Sequence, residues 1–229
     1  MKNLLRYQDF LNESVDNIAG GLTPEEEKDY LNSLEDVIVS AKKLRGLDLI
    51  WRGFNPPKRK RGHILKITED RESTRGTAEY EKSVSGGKIL ELVDRLKAKW
   101  DFNSPVVTFT TFDKTKAQFF GQPYIFIPKD PFSAYQNPDI DDLLVDGKNI
   151  ENPISTAENY EKVPIGETDD SRKPREVLFD SKEYYLISLD FIISLLPGKL
   201  KPSKFPQNYF QAVDVLRKWH WISKKKMQE

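Results

Sequence analysis

The chain has 229 residues, and its 36 Lys+Arg against 36 Asp+Glu leave no formal net charge, which disfavours a wholesale nucleic-acid binder but leaves room for local basic patches. Hydrophobic residues make up 38%, with 13 Phe, 9 Tyr and 4 Trp, enough for one sizeable core and too much for general disorder. There is no cysteine and only two histidines, His63 and His220. This removes disulfides, thiolates and cysteine-ligated metals, and speaks against a histidine metal site or a Ser-His-Asp triad.

The opening segment MKNLLRYQDFLNES carries charges at once and shows no small-residue cleavage site, so no signal peptide is expected and a cytoplasmic setting is the default. Apolar runs such as Phe191–Leu196 are too short to span a membrane. Thr23-Pro24-Glu25-Glu26 is a strong helix start, with a cap, a proline at the first position and acids in the first turn. Tyr30, Leu31, Leu34, Val37, Ile38 and Ala41 continue it at helical spacing towards Gly46. Leu49–Phe54 reads as a short strand ending at Pro56-Pro57. Residues 58–87 read as polar and irregular. Ile89, Leu92, Val93, Leu96 and Trp100 predict an amphipathic helix, and Val106–Phe112 a strand followed by a short helix over Asp113–Phe120. Pro123–Pro128 is the next strand.

Between Lys129 and Asp170 stand 11 acids against three bases, with four prolines, which predicts long surface loops and one short helix near Asp139–Val145. Glu176–Phe179 and Tyr184–Leu189 predict a hairpin about Asp180–Glu183. A short helix over Phe191–Leu196 and a tail helix from Gln207 to Ile222 complete the pattern. This order suggests an α+β fold, with a helical segment over 1–47, a central domain over 48–190 and a C-terminal helical segment over 191–229.

Three places offer chemistry. Arg52 in Trp51-Arg52-Gly53 ends a strand with a fork suited to a diphosphate, beside a glycine that lets a ligand approach the backbone. Alternation sets Thr108 and Thr110 on one face of their strand, where hydroxyls hold a ligand or orient a carboxylate. Glu176 opens an apolar strand after a polar loop, a place from which a carboxylate can stabilise a cationic transition state. Each also has a plain reading: a surface ion pair, ordinary threonine strand propensity, a solvated strand end.

Taken in order, Arg52-Gly53, Thr108-Phe109-Thr110-Thr111 with Ala117 and Phe120 beyond, and Glu176-Val177-Leu178-Phe179 resemble the mono-ADP-ribosyltransferase family of the Arg, Ser/Thr, Glu signature type. The resemblance spans about residues 48–190. It implies a split β-sandwich with a central NAD cleft, flanked here by N- and C-terminal helices. NAD would be the substrate and no metal would be needed. Arg52 would hold the diphosphate or the adjoining ribose, and the Gly53 backbone would face the nicotinamide carboxamide. Thr108, Thr110 and Thr111 would line the NAD site, with Thr110 or Thr108 in place of the serine that positions the glutamate. Glu176 would stabilise the oxocarbenium-like state. The preceding loop would face a macromolecular acceptor, protein first and nucleic acid second, through Arg172, Lys173 and Arg175. Many arginine-modifying members carry a second Glu two positions before the catalytic one; here that position is Pro174, so the acceptor is left open. A non-catalytic binding or virion-structural protein of the same fold is the alternative, and the opening segment is similar to the starts of many proteins of large tailed phages. The oligomeric state is left open.

Two basic stretches stand apart from this trio. Lys58–Arg61, next to His63, suits an acidic partner or a solvated loop. In the tail helix Trp219 and Trp221 flank His220 ahead of Lys224–Lys226. That pattern suits either packing or docking to RNA or DNA.

Overall fold

Every strand pairing among the described residues is antiparallel. The computed structural model describes residues 24–56, 64–68, 88–100, 107–129, 132–136, 152–159, 161–163, 176–196 and 205–226. Its strands are β1 Trp51–Phe54, β2 Ile64–Thr68, β3 Val107–Thr111, β4 Gln122–Pro128, β5 Ser133–Gln136, β6 Glu161–Val163, β7 Glu176–Asp180 and β8 Glu183–Ile187. Its helices are α1 Pro24–Lys42, α2 Lys88–Trp100, α3 Lys114–Ala117 running into a 3-10 turn at Gln118–Phe120, α4 Pro153–Glu158, α5 Leu189–Ser194 and α6 Tyr209–Lys226. The fold is α+β. The strands form one sheet in the order β2-β8-β4-β1-β3-β7-β5-β6.

That sheet is two four-stranded halves joined at one point. β1 pairs with β4 over Trp51–Phe54, and β3 pairs with β7 over all of Val107–Thr111, yet β1 and β3 meet only at Trp51↔Thr111. Beyond that pair the strands part. The rings of Phe126 on β4 and Phe179 on β7 nevertheless lie 5.0 Å apart, although β1 and β3 stand between them in the sheet. Three strand spacings in a flat sheet would separate them by about 14 Å. The halves are therefore folded towards each other. Tyr184 joins Phe126 at 5.0 Å, and Phe132 joins Phe179 at 5.8 Å, so this interior is an aromatic core built by alternate residues of β4, β7 and β8.

The outer face of the first half is covered by α1 and α6. Leu34, Val37, Ala41 and Leu44 from the first helical segment, and Ala212, Val213, Leu216 and Trp219 from α6, are buried with Ile125, Ile127, Tyr185 and Ile187 of the sheet. The Tyr185 hydroxyl donates to Asp36 Oδ2 at 2.9 Å. Tyr209, fully buried, accepts a hydrogen bond from the Ile50 amide and donates to the Phe126 carbonyl; burial pushes its hydroxyl far above the ordinary tyrosine value. It ties the start of α6 to the strands beneath. The helices α2 and α4 pack on each other, and Lys99 Nζ donates to the Ala157 and Glu158 carbonyls at the end of α4. Leu92, Leu96, Tyr135, Ala157 and Leu178 are buried outside the main core.

Three sequence expectations need correction. The hairpin of β7 with β8 does not form: β7 pairs with β3 and β5, and β8 with β2 and β4. The short link at Ser181 instead carries the chain from one half to the other. Ser181 Oγ donates to the Glu183 and Lys129 carbonyls, and the Lys129 amide donates to the Glu183 carbonyl at 2.9 Å, which makes a corner rather than a turn. The acidic stretch after Lys129 holds β5, α4 and β6, because short strands are fixed by their neighbours more than by their own composition; the helix expected at 139–145 lies outside the described residues. Residues 58–87, read as irregular, include β2 at the sheet edge, with Leu65 buried.

Candidate functional site at the parting of the sheet

Trp51, Thr111 and Glu176 are directly opposite one another on β1, β3 and β7. Paired residues share a face, so these three form a row across the seam. Arg52 follows Trp51, and Thr110 precedes Thr111. By alternation Arg52, Thr110 and Thr108 face the aromatic interior, whereas Gly53, Thr111 and Glu176 face the other way. The guanidinium of Arg52 stands over the Tyr184 ring at 5.2 Å, which agrees with that assignment. The structure thus gathers the expected residues on three adjacent strands around one seam, but it does not bring Arg52 and Glu176 to the same side.

Arg52 marks the split itself. Its Nη1 donates to the Phe109 carbonyl at 3.1 Å, across the gap where the β1–β3 ladder has lapsed. A side-chain donor here takes the place of an absent strand hydrogen bond.

All three threonine hydroxyls act on main chain. Thr110 Oγ1 donates to the Val177 carbonyl at 2.7 Å, and Thr108 Oγ1 to the Ser181 carbonyl at 3.3 Å. Thr111 Oγ1 accepts from the Asp113 amide at 3.0 Å. Thr110 therefore reaches β7 one residue beyond Glu176, through the Val177–Leu178 peptide. Glu176 is 6% exposed, and its Oε1 is buried, as is Arg52 Nε, with no hydrogen-bond partner for either atom among the described residues; both side chains make other interactions.

Gly53 has a reason the sequence did not reveal. A Cβ at this position would lie 2.0 Å from the Ala117 carbonyl and 2.9 Å from Phe120 Cβ. The short helix after β3 is seated on β1 through this glycine, so the close approach is made by the chain's own backbone. That helix starts with Asp113, whose carboxylate accepts from the Thr115 and Lys116 amides, and ends at Gly121, where φ is +136° and the bare Cα faces Phe54 and Asn55. The loop residues Arg172, Lys173 and Arg175, and the basic run at 58–61, lie outside the described residues. Among the described residues no acid, histidine or cysteine cluster could hold a metal ion, and no helix is long and apolar enough to cross a membrane. The chain matches no protein-family model, no curated protein and no solved structure.

Proposed function

We propose that the protein is an NAD-dependent mono-ADP-ribosyltransferase acting on a macromolecule, with the NAD cleft of a split β-sandwich at the parting of β1 and β3. One observation carries the reading: the sheet divides at a single residue pair, with Arg52 on one lip and the threonine strand and Glu176 on the other. A guanidinium at the mouth of such a split suits the NAD diphosphate, which is charged before and during reaction. In the reaction the bond from ribose to nicotinamide breaks, and its electron pair leaves with nicotinamide. The acceptor nucleophile bonds to the anomeric carbon and gives up a proton. The carboxylate of Glu176 stabilises the positive charge that develops on the ribose. Thr110 acts as a positioning residue through the Val177 peptide.

A second reading, a non-catalytic binding protein of the same architecture, is favoured by the alternation that turns Glu176 to the side opposite Arg52. Catalysis requires the Glu176 carboxylate to reach the split round the end of β7; binding does not. A paired measurement separates the two. Glu176→Gln deletes the charge and keeps the size, so under the transferase reading turnover of labelled NAD falls about 10²–10³-fold with little change in NAD dissociation constant. Arg52→Ala weakens NAD binding itself. If Glu176→Gln turns over NAD like the wild type, the catalytic assignment fails. If NAD at high concentration does not raise the unfolding temperature of the wild type, the cleft is not an NAD site and the transferase reading fails in favour of the binding protein.

A further inference from the structure

The two tryptophans flanking His220 have opposite fates. Trp219 is 2% exposed and packs edge-on against Phe191 at 5.8 Å, whereas Trp221 is 65% exposed. Two residues along a helix turn through more than half a circle, so one ring joins the core and the other faces away from it. Phe210, 48% exposed, precedes Trp221 by eleven residues. That is close to three full turns, so both lie on one stripe of α6, about 16 Å apart.

One of the two rings has an arginine over it, and a second arginine shares the stripe. Arg45 lies over the Phe210 ring at 4.3 Å, and the exposed Arg217 stands one turn before Trp221 on the same stripe. Lys218 is exposed as well and pairs with Asp214 at 2.7 Å, a surface contact that is readily exchanged. From Arg217 to the end of α6 at Lys226 there are five Lys or Arg and no acid, with Lys224 and Lys225 three and four positions after Trp221.

We infer that this outer stripe of α6 binds single-stranded nucleic acid. Charge alone suits any polyanion. Two exposed rings on one stripe, among basic residues, add flat π-faces at a spacing of a few nucleotides, and single strands supply both an anionic backbone and unstacked bases. A duplex offers the charge without the bases, and an acidic protein offers no regular stacking partner. The site is separate from the seam and does not depend on the NAD reading.

The test uses the full chain and a fluorescein-labelled oligothymidylate of about 16 nucleotides, the upper range of a compact single-strand site, read by fluorescence anisotropy. Binding weakens with salt, with a log–log slope of about −2 to −4, as contact with three to five phosphates of a single strand gives. Trp221→Ala lowers affinity about 5- to 150-fold, the cost of one lost base–aromatic stack, without lowering the unfolding temperature, because the ring is exposed. Trp221→Phe retains most of the affinity. Phe119→Ala, which removes an exposed aromatic from the short turn after α3, leaves it unchanged. Wild-type affinity in Trp221→Ala overturns the inference. So does competition by polyglutamate or by a duplex of equal length as effective as that by the single strand, the first result assigning the stripe to an acidic protein.

Discussion

The two halves of the sheet differ in what they bury. The half made of β2, β8, β4 and β1 is clad by α1 and α6 and encloses aliphatic and aromatic side chains. Apart from Ser40 of α1, the buried serine, threonine, glutamine and acidic side chains among the described residues all belong to β3, β5, β7 or the residue after β7. Polar groups cost stability when buried unless they are hydrogen-bonded, and here the threonine hydroxyls are spent on main chain at Val177, Ser181 and Asp113. The first half is a scaffold held by packing. The second is held in addition by side chain–backbone bonds that fix β7, and therefore Glu176, relative to β3.

Removing a shared aromatic is the most severe way to break this division. Phe126 is fully buried and touches both Tyr184 in its own half and Phe179 in the other. Phe126→Ala should destabilise the fold by about 3–5 kcal/mol, measured by denaturant unfolding. Because Phe126 and Phe179 touch across the interior, the double alanine variant should lose less than the sum of the single losses. Strict additivity would mean that the halves do not close on each other.

The seam itself is probed by Gly53→Ala. The new methyl would meet the Ala117 carbonyl, which is main chain and has nowhere to go without unseating the helix after β3. A loss of about 1–3 kcal/mol is expected, accompanied by weaker NAD binding if the cleft depends on that seating. Unchanged stability would show that the turn yields easily. On the polar half, Thr110→Val keeps the shape and removes the hydroxyl that bonds the Val177 carbonyl. It should cost about 1 kcal/mol, and Thr110→Ser should recover most of it. Equal loss in both variants would point to packing of the methyl instead of the hydrogen bond.

Much of this was legible in the sequence where a local signal agreed with the tertiary outcome. Pro24-Glu25-Glu26 starts α1, Asp113 caps the short helix after β3, and the apolar run about Tyr124–Ile127 is β4. Element type followed from periodicity because long-range pairing asked for the same thing. The sequence misled where pairing overruled proximity. Asp180 and Glu183 bracket what looks like a two-residue hairpin turn, yet the corner at Ser181 sends β8 to a different half, and no local signal distinguishes a turn from a corner. At the candidate site, the strands of Arg52, Thr110 and Glu176 were read correctly and proved to be neighbours. Their facing was not legible, since it depends on the register Trp51↔Thr111↔Glu176, which only three-strand pairing sets. The glycine at position 53 was assigned to ligand approach because a close backbone contact from sixty-odd residues away leaves no mark on the local sequence.

The corner that joins the halves also carries an ion pair, and its removal should have the smallest effect. Lys129 Nζ lies 2.7 Å from Glu183 Oε2, beside the main-chain bonds of Lys129, Ser181 and Glu183. The hydrogen bond from Lys129 holds the Glu183 carboxyl below its ordinary value, and the same bond raises Lys129. A depressed carboxylate contributes stability above its unfolded pKa and loses it as pH falls through the lower folded value; a raised lysine contributes below its unfolded pKa and loses it as pH rises through the higher folded one. The pair is therefore fully formed between about pH 4.5 and 10.5, the ordinary values of the two groups. Both side chains are roughly one-third exposed, so solvent screening limits the contribution to less than about 1 kcal/mol. Lys129→Gln should lower the urea midpoint slightly near neutrality, less so in high salt, and hardly at all near pH 2, where the carboxyl is protonated in the wild type. An equal loss at both pH values would mean that the aliphatic stem of Lys129, and not its charge, supports the corner.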